Sequence, residues 1–198
     1  MEFPVEVRYF MGPIPIALVD ARGSPIGYAD CASGFPQYWT VFSDEGKTTP
    51  IYKLSSDNVN SFSVEWRFER PNKTRLGSIK RFGRRSVWRA HYDVRVGDAL
   101  TFSVVEANPF VKVANFFVSA APFMQVLTGG ILNPTYRLSR PGGAPALRIR
   151  KTGPMTIDAT WSTARIFTID RDGDMSDAEQ EVALLSLMVV AMNEGTRG

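Results

Sequence analysis

The most constraining feature of this 198-residue sequence is an apolar run near its C-terminus, residues 182–192, in which Ser186 is the only polar residue. Ser176 and Glu179 have the spacing of a helix-capping box, and acidic residues fill the first turn that follows, where the helix dipole favours negative charge. The sequence therefore predicts a helix over residues 177–193. Because apolar side chains cover every side of residues 182–192, we expect this helix to be enclosed on all sides.

Most of the remaining chain alternates apolar and polar residues with a period of two, which is typical of strands with one face in a core. The alternation is clearest in residues 62–68, a Phe-Ser-Val-Glu-Trp-Arg-Phe run. About twelve strands are predicted, at residues 14–19, 26–31, 38–42, 51–54, 61–69, 75–82, 86–93, 99–106, 135–140, 145–151, 155–161 and 164–170. Most connections are too short for parallel crossovers, which favours antiparallel hairpins in sequence order.

A closed sheet is the arrangement that accommodates both features. A dozen antiparallel strands can form a barrel whose lumen is too wide for side chains alone to fill, and closure removes the exposed sheet edges. Keeping each large apolar side chain of the helix from water contributes about 1.5–3 kcal/mol. The predicted fold is mainly β: a single domain over residues 1–198, an approximately twelve-stranded antiparallel closed β-barrel enclosing a hydrophobic C-terminal α-helix.

One segment interrupts the strand pattern. Asn108 and Pro109 have the order of an N-cap and a first helical residue, and apolar residues then recur at helical spacing. The sequence therefore predicts a helical insertion near residues 108–130.

Three features of the sequence accompany the predicted barrel and its helical insertion. Strand–Asp–Gly turns recur at residues 18–23 and 42–46, a Leu-Gly-Ser-Ile-Lys-Arg strand at 76–81 leads into a Phe-Gly-Arg-Arg turn, and the apolar helix comes last. In this order of elements the chain resembles the tubby C-terminal-like superfamily, which includes the tubby domain, phospholipid scramblases and LURP-one-related proteins. The resemblance covers nearly the whole chain as a pattern. It implies a twelve-stranded barrel around a central helix and, for some members, association with membranes or phosphoinositides.

Positive charge is concentrated in residues 67–95, which contain ten basic residues but only two acids, although the net charge of the chain is only +3. Several cations near a turn can converge on a phosphate, and each adds about 1 kcal/mol of attraction near an anionic membrane leaflet. We therefore predict a basic patch that binds anionic phospholipid or phosphoinositide headgroups. It consists of Lys73, Arg75, Lys80, Arg81, Arg84, Arg85 and Arg89. The alternative is a solvated hairpin that keeps the barrel in solution.

Two other kinds of partner are alternatives to lipid. Nucleic acid would be attracted by the same charge, but Trp88 and Tyr92 fall on the apolar phase of their strand, so nucleic acid is not the expected partner. The apolar 109–132 segment offers a contact surface for another protein through Phe116, Phe117 and Phe123. The alternative function is therefore a cytoplasmic protein–protein interaction scaffold.

An acidic segment before the terminal helix partly matches a calcium-binding loop. Asp170, Asp172, Asp174 and Glu181 occupy positions 1, 3, 5 and 12 of an EF-hand. Met175, however, stands where that loop requires glycine, and the preceding residues have the pattern of a strand and not of a helix. Helix capping and a polar loop are therefore the favoured interpretation, and no metal is assigned.

The residues that carry most enzyme chemistry are scarce in this chain. A single histidine, His91, and a single cysteine, Cys31, exclude sites that need two imidazoles or several thiolates from one chain. We expect no enzyme activity and no cofactor.

The N-terminus lacks a secretory pattern, and no uninterrupted apolar run is long enough for a transmembrane span. These features predict a cytoplasmic protein, which is peripheral at the inner membrane face when it binds lipid.

Overall fold

The computed structural model describes residues 2–9, 16–32, 37–56, 63–82, 91–107, 135–152 and 165–195. These form twelve strands and one helix: β1 (Val5–Tyr9), β2 (Ile16–Val19), β3 (Pro25–Ala32), β4 (Gln37–Phe42), β5 (Pro50–Ser56), β6 (Glu65–Glu69), β7 (Arg75–Arg81), β8 (His91–Val96), β9 (Ala99–Glu106), β10 (Thr135–Ser139), β11 (Pro145–Thr152), β12 (Arg165–Arg171) and α1 (Asp177–Gly195). Neighbouring strands pair antiparallel in chain order, and β1 pairs with β12 to close the barrel. The predicted fold class is confirmed.

The main differences from the predicted strands are at β1 and β8. β1 was not predicted, although Val5 and Val7 alternate with charged residues and are fully buried. β8 extends to Val96, three residues beyond its predicted end. The predicted strand at 155–161 and the predicted helical insertion near 108–130 lie outside the described residues.

The lumen of the barrel is filled by α1 and by the inward side chains of the strands. Every residue from Val182 to Met192 is at most 7% exposed, which confirms that the helix is enclosed on all sides. The hydroxyl of buried Ser186 donates to the carbonyl of Val182 at 2.8 Å, so this polar group is satisfied within the helix. The helix lies nearest to β1, β6, β7 and β8.

Close packing at one point of the wall requires glycine. A Cβ atom at Gly77 would lie 2.1 Å from the carbonyl oxygen of Arg95 and 3.1 Å from the side chain of Val182. Any side chain here would push β7 away from both β8 and the helix.

Five hairpin turns lie at the end of the barrel where α1 begins, which we call the turn end. They comprise residues 20–24, 43–49, 70–74, 97–98 and 140–144. At the opposite end, β7 finishes at Arg81 and β8 begins at His91, and these strands are held together there by the pairing of Arg81 with Tyr92.

Three of the turns repeat one backbone design. In turns 20–24, 70–74 and 140–144, the N–H of the first residue donates to the carbonyl of the fifth, and the N–H of the fourth donates to the carbonyl of the first. The fourth residue has a positive φ, at Gly23 (80°), Lys73 (65°) and Gly143 (92°). A register shift leaves the second residue of the following strand without a cross-strand partner. These bulge residues are Ile26, Leu76 and Ala146.

Enclosure of the helix generates a stability prediction. Replacing Leu187, which is fully buried, by alanine leaves a cavity inside the lumen and is expected to lower the free energy of unfolding by about 2–5 kcal/mol. The matched control is Leu100→Ala, because Leu100 is 50% exposed and its loss is expected to cost less than about 0.5 kcal/mol. Chemical denaturation measures both, and equal losses would contradict an enclosed helix.

Candidate functional site

The structure divides the predicted basic patch between the two ends of the barrel. Lys73 and Arg75 lie at the turn end, whereas Lys80 and Arg81 lie at the end of β7 on the opposite side. The five residue steps from Arg75 to Lys80 span about 17 Å of strand at roughly 3.3 Å per residue. Of the predicted residues, the structure thus brings together Lys73 with Arg75, and Lys80 with Arg81. The other three, Arg84, Arg85 and Arg89, lie outside the described residues.

At the turn end, the two cations are exposed. Arg75 pairs with Asp98, with 2.9 Å between Nη1 and Oδ1, in an ion pair that is largely in water. Lys73 occupies the left-handed position of its turn. Exposed pairs of this kind contribute at most about 1 kcal/mol, so Arg75 holds its position by a weak interaction.

At the opposite end, the two cations have different surroundings. Lys80 faces Asp93 across the β7–β8 pair, and its Nζ lies 5.8 Å from the ring centroid of Phe82. The Nε of Arg81 is buried without a hydrogen-bond partner, beside a cavity of about 30 Å³ that Asn193 also lines. Because Asn193 belongs to the last turns of α1, Arg81 places positive charge near the negative end of the helix dipole.

The lone histidine lies close to this end of the barrel, on the outer face of β8. The Nε2 of His91 is 3.3 Å from Oδ1 of Asp93, as their spacing of two on one strand predicts.

The acids of the partial EF-hand match are held by arginines. Asp170 pairs with Arg150 at 2.6 Å, Asp172 with Arg148 at 3.0 Å, Asp174 with Arg171 at 3.3 Å, and Glu181 with Arg70 at 2.7 Å. Asp170 is part of β12 itself. Within the described ranges, no group of three or more His, Cys, Asp or Glu side chains could hold a metal ion.

The predicted capping box at the start of α1 is confirmed. The N–H of Ser176 donates to Oε2 of Glu179 at 2.8 Å, and the N–H of Glu179 approaches Oγ of Ser176 at 3.4 Å. Each side chain thus satisfies a backbone group that the helix leaves without a partner.

Two arginines hold this end of the helix, and sequence reasoning did not identify them. Arg70 and Arg140 occupy the same first position in the equivalent turns 70–74 and 140–144. Arg140 donates through Nη1 and Nη2 to the two carboxylate oxygens of Glu179, at 2.5 and 3.1 Å. Arg70 donates through Nη2 to both oxygens of Glu181, at 2.7 and 2.9 Å. The sequence signal was the Arg-Pro pair that opens both turns.

These contacts shift two pKa values. The hydrogen bond from Arg140, followed by that from the N–H of Ser176, lowers the pKa of Glu179 to about 2. The hydroxyl of Tyr52 on β5 donates to Oε1 of Glu181 at 2.6 Å. Burial, with this hydrogen bond and the charge of Glu181, raises the pKa of Tyr52.

A cavity of about 440 Å³ opens beside these contacts, between the first turns of α1 and the wall formed by β2 to β5. Its apolar lining consists of Leu18, Ile26, Val41, Ile51, Ala178, Leu184 and Leu185. Its polar lining comes from Tyr52 and Arg70 and from Asp177, Gln180 and Glu181 at the start of the helix. The sequence did not predict this cavity.

Comparisons with known proteins do not assign the chain to a family. No family model matches it, and searches of the curated proteins and of the solved structures return no match. The tubby-like resemblance therefore stays a prediction. Among the described residues, no helix is both long enough and apolar enough to cross a membrane.

The arginine contact with Glu179 generates a pH-dependent prediction. The pKa of this carboxyl falls from its ordinary value of 4.5 to about 2 on folding. Its stabilisation is therefore complete above about pH 4.5 and is lost as the pH falls towards 2. Glu179→Gln is expected to lower the free energy of unfolding by about 1 kcal/mol at neutral pH, and the difference from the unsubstituted protein should shrink below that range.

Denaturant titrations between neutral and acidic pH measure this difference. Glu45→Gln is the matched control, because Glu45 is an exposed acid in the 43–49 turn. A loss from Glu179→Gln that is the same at every pH, or no larger than the loss from Glu45→Gln, would contradict the assigned role.

Proposed function

We propose that this protein acts by binding and not by catalysis, as a tubby-like protein that attaches to anionic phospholipid headgroups. The carrying observation is the placement of Lys80 and Arg81 at one end of the barrel. They begin a run, residues 80–89, that holds five basic residues and no acid. We call this run the basic connection, because it joins β7 to β8.

The geometry of the two strands supports this assignment. The pairing of Arg81 with Tyr92 holds the end of β7 against the start of β8, so the basic connection leaves and re-enters the barrel at the same end. Charges gathered at an end can approach a flat bilayer together, whereas charges spread around the wall cannot. At about 1 kcal/mol per cation, five cations suffice for reversible attachment to an anionic leaflet.

The division of the basic patch limits the proposed lipid surface to one end of the barrel. Lys73 and Arg75 lie at the turn end and would point away from a bilayer that contacts the basic connection. We therefore assign lipid binding to Lys80, Arg81, Arg84, Arg85 and Arg89. The tubby-like resemblance supports a phosphoinositide as the lipid, and with it attachment at the cytoplasmic face of a membrane.

Sedimentation with vesicles tests this proposal. The protein is expected to bind phosphatidylcholine vesicles that contain a phosphoinositide, and to bind phosphatidylcholine alone much more weakly. Arg84→Glu with Arg85→Glu should weaken binding by at least about tenfold, since four units of charge change near the surface.

The matched control makes the same charge change at the other end of the barrel, in Lys73→Glu with Arg75→Glu. It should change binding by less than about twofold, because these residues lie more than a Debye length of about 10 Å from the bilayer at 0.1 M salt. Equal binding to the two vesicle types at low salt would reject lipid recognition. Equal losses from the two double variants would reject the location.

The second candidate function is the protein-interaction scaffold that uses the 109–132 segment. Its residues Phe116, Phe117 and Phe123 lie outside the described residues. The pairing of Glu106 with Tyr136 supports it, because both ends of the connection between β9 and β10 meet at the end of the barrel that carries the basic connection.

Light scattering and co-purification test the scaffold. Aspartate at Phe116, Phe117 and Phe123 is expected to lower the oligomeric state or to release a stoichiometric partner, because buried apolar contacts would be replaced by charge. An unchanged mass and an unchanged set of partners would reject this function.

A further inference from the structure

We propose that the cavity at the turn end binds an uncharged, single-chain amphiphile, such as a long-chain alcohol. This site is separate from the proposed headgroup surface, because it lies at the other end of the barrel. Its four wall strands and the first turns of α1 are all described, and its lining includes hydrogen-bonding groups from the start of the helix.

The cavity lies between the first turns of α1 and the wall strands β2 to β5. The strands that α1 approaches most closely, β1, β6, β7 and β8, do not line it. On the side of β2 to β5, β3 presents Gly27 and Ala29 to the core, and these cannot fill the gap. A Cβ at Gly27 would lie 3.0 Å from Cγ1 of Val41 and 3.2 Å from the carbonyl oxygen of Phe42, so the backbone packing keeps this position small.

The size and lining of the cavity suit an alkyl chain. Its volume of about 440 Å³ falls within the range of small-molecule sites, about 300–1,000 Å³. Ile26 and Ile51 are the bulge residues of β3 and β5, and both are only partly buried. An apolar chain would therefore cover side chains that water otherwise reaches. Each added methylene group should increase affinity about threefold to fourfold, as expected for burial of apolar surface.

The polar groups of the lining favour an uncharged head. The carboxylate of Glu181 already accepts hydrogen bonds from Arg70 and Tyr52. This ion pair neutralises the guanidinium of Arg70 and leaves the carboxylate occupied. An anionic head would meet Glu181 and Asp177 with no unpaired cation in the lining. A cationic head would need a carboxylate, but Glu181 is engaged and Asp177 is exposed, at the positive end of the helix dipole. Burial of an unpaired charge is costly, whereas a hydroxyl can bond to Gln180, which also lines the cavity.

Calorimetric titration with three probes of equal chain length tests the head group. The probes are 1-decanol, decanoate and decyltrimethylammonium. Saturable binding of 1-decanol is expected, with the two charged probes at least about tenfold weaker. 1-Octanol, which is shorter by two methylene groups, should bind about tenfold more weakly than 1-decanol.

A pair of matched variants tests the location. Ile26 and Leu76 are bulge residues at the same position of two equivalent hairpins, but only Ile26 lines the cavity. Ile26→Trp should fill the space and weaken 1-decanol binding by at least about tenfold, whereas Leu76→Trp should change it by less than about twofold.

A measurement on the unsubstituted protein keeps the test decisive if Ile26→Trp does not fold. Intermolecular nuclear Overhauser effects should connect 1-decanol to the methyl groups of Ile26 and Ile51. The absence of saturable 1-decanol binding, tighter binding of decanoate, or contacts at other methyl groups would overturn the proposal. None of these results depends on vesicle binding, so the two proposals stand or fall separately.

Discussion

Burial of α1 is the constraint on which the rest of the structure depends. Residues 182–192 have no side that suits water, and a flat sheet would cover only one side of them. Twelve strands in hairpin order satisfy this constraint once β1 pairs with β12. The helix is then fixed along its axis by Arg70 and Arg140, which reach its first turns from two turns of the same design. Enclosure and anchoring therefore come from different parts of the sequence.

Local patterns predicted the helix, its capping box and the hairpin order, because each depends on residues that are close in sequence. The same reasoning missed β1, a strand of only five residues in which Val5 and Val7 alternate with Glu6 and Arg8. It also treated the basic patch as one surface. A turn gathers neighbouring charges but a strand separates them, and β7 places Arg75 and Lys80 at different ends of the barrel.

Contacts over long distances in sequence were beyond prediction from patterns. Arg70 binds Glu181 across more than a hundred residues, and nothing near either residue indicates the other. The Arg-Pro pairs at 70 and 140 become informative only when the two turns are known to be equivalent. The cavity is a further step removed, since it depends on where the helix lies in the lumen and on the small side chains of β3.

The order of the elements has a consequence for how this protein is made. Among the described elements, β1 is synthesised before β12, so one of its edges stays unpaired until β12 has been made, and the twelve strands precede the helix that fills the lumen. A nascent chain that stops before Val182 has the strands of the barrel but lacks the helix that fills the lumen, so the inward side chains of the strands remain exposed to water. The barrel therefore cannot be completed before α1 has been synthesised, and the growing chain is a natural client for chaperones that shield apolar surface.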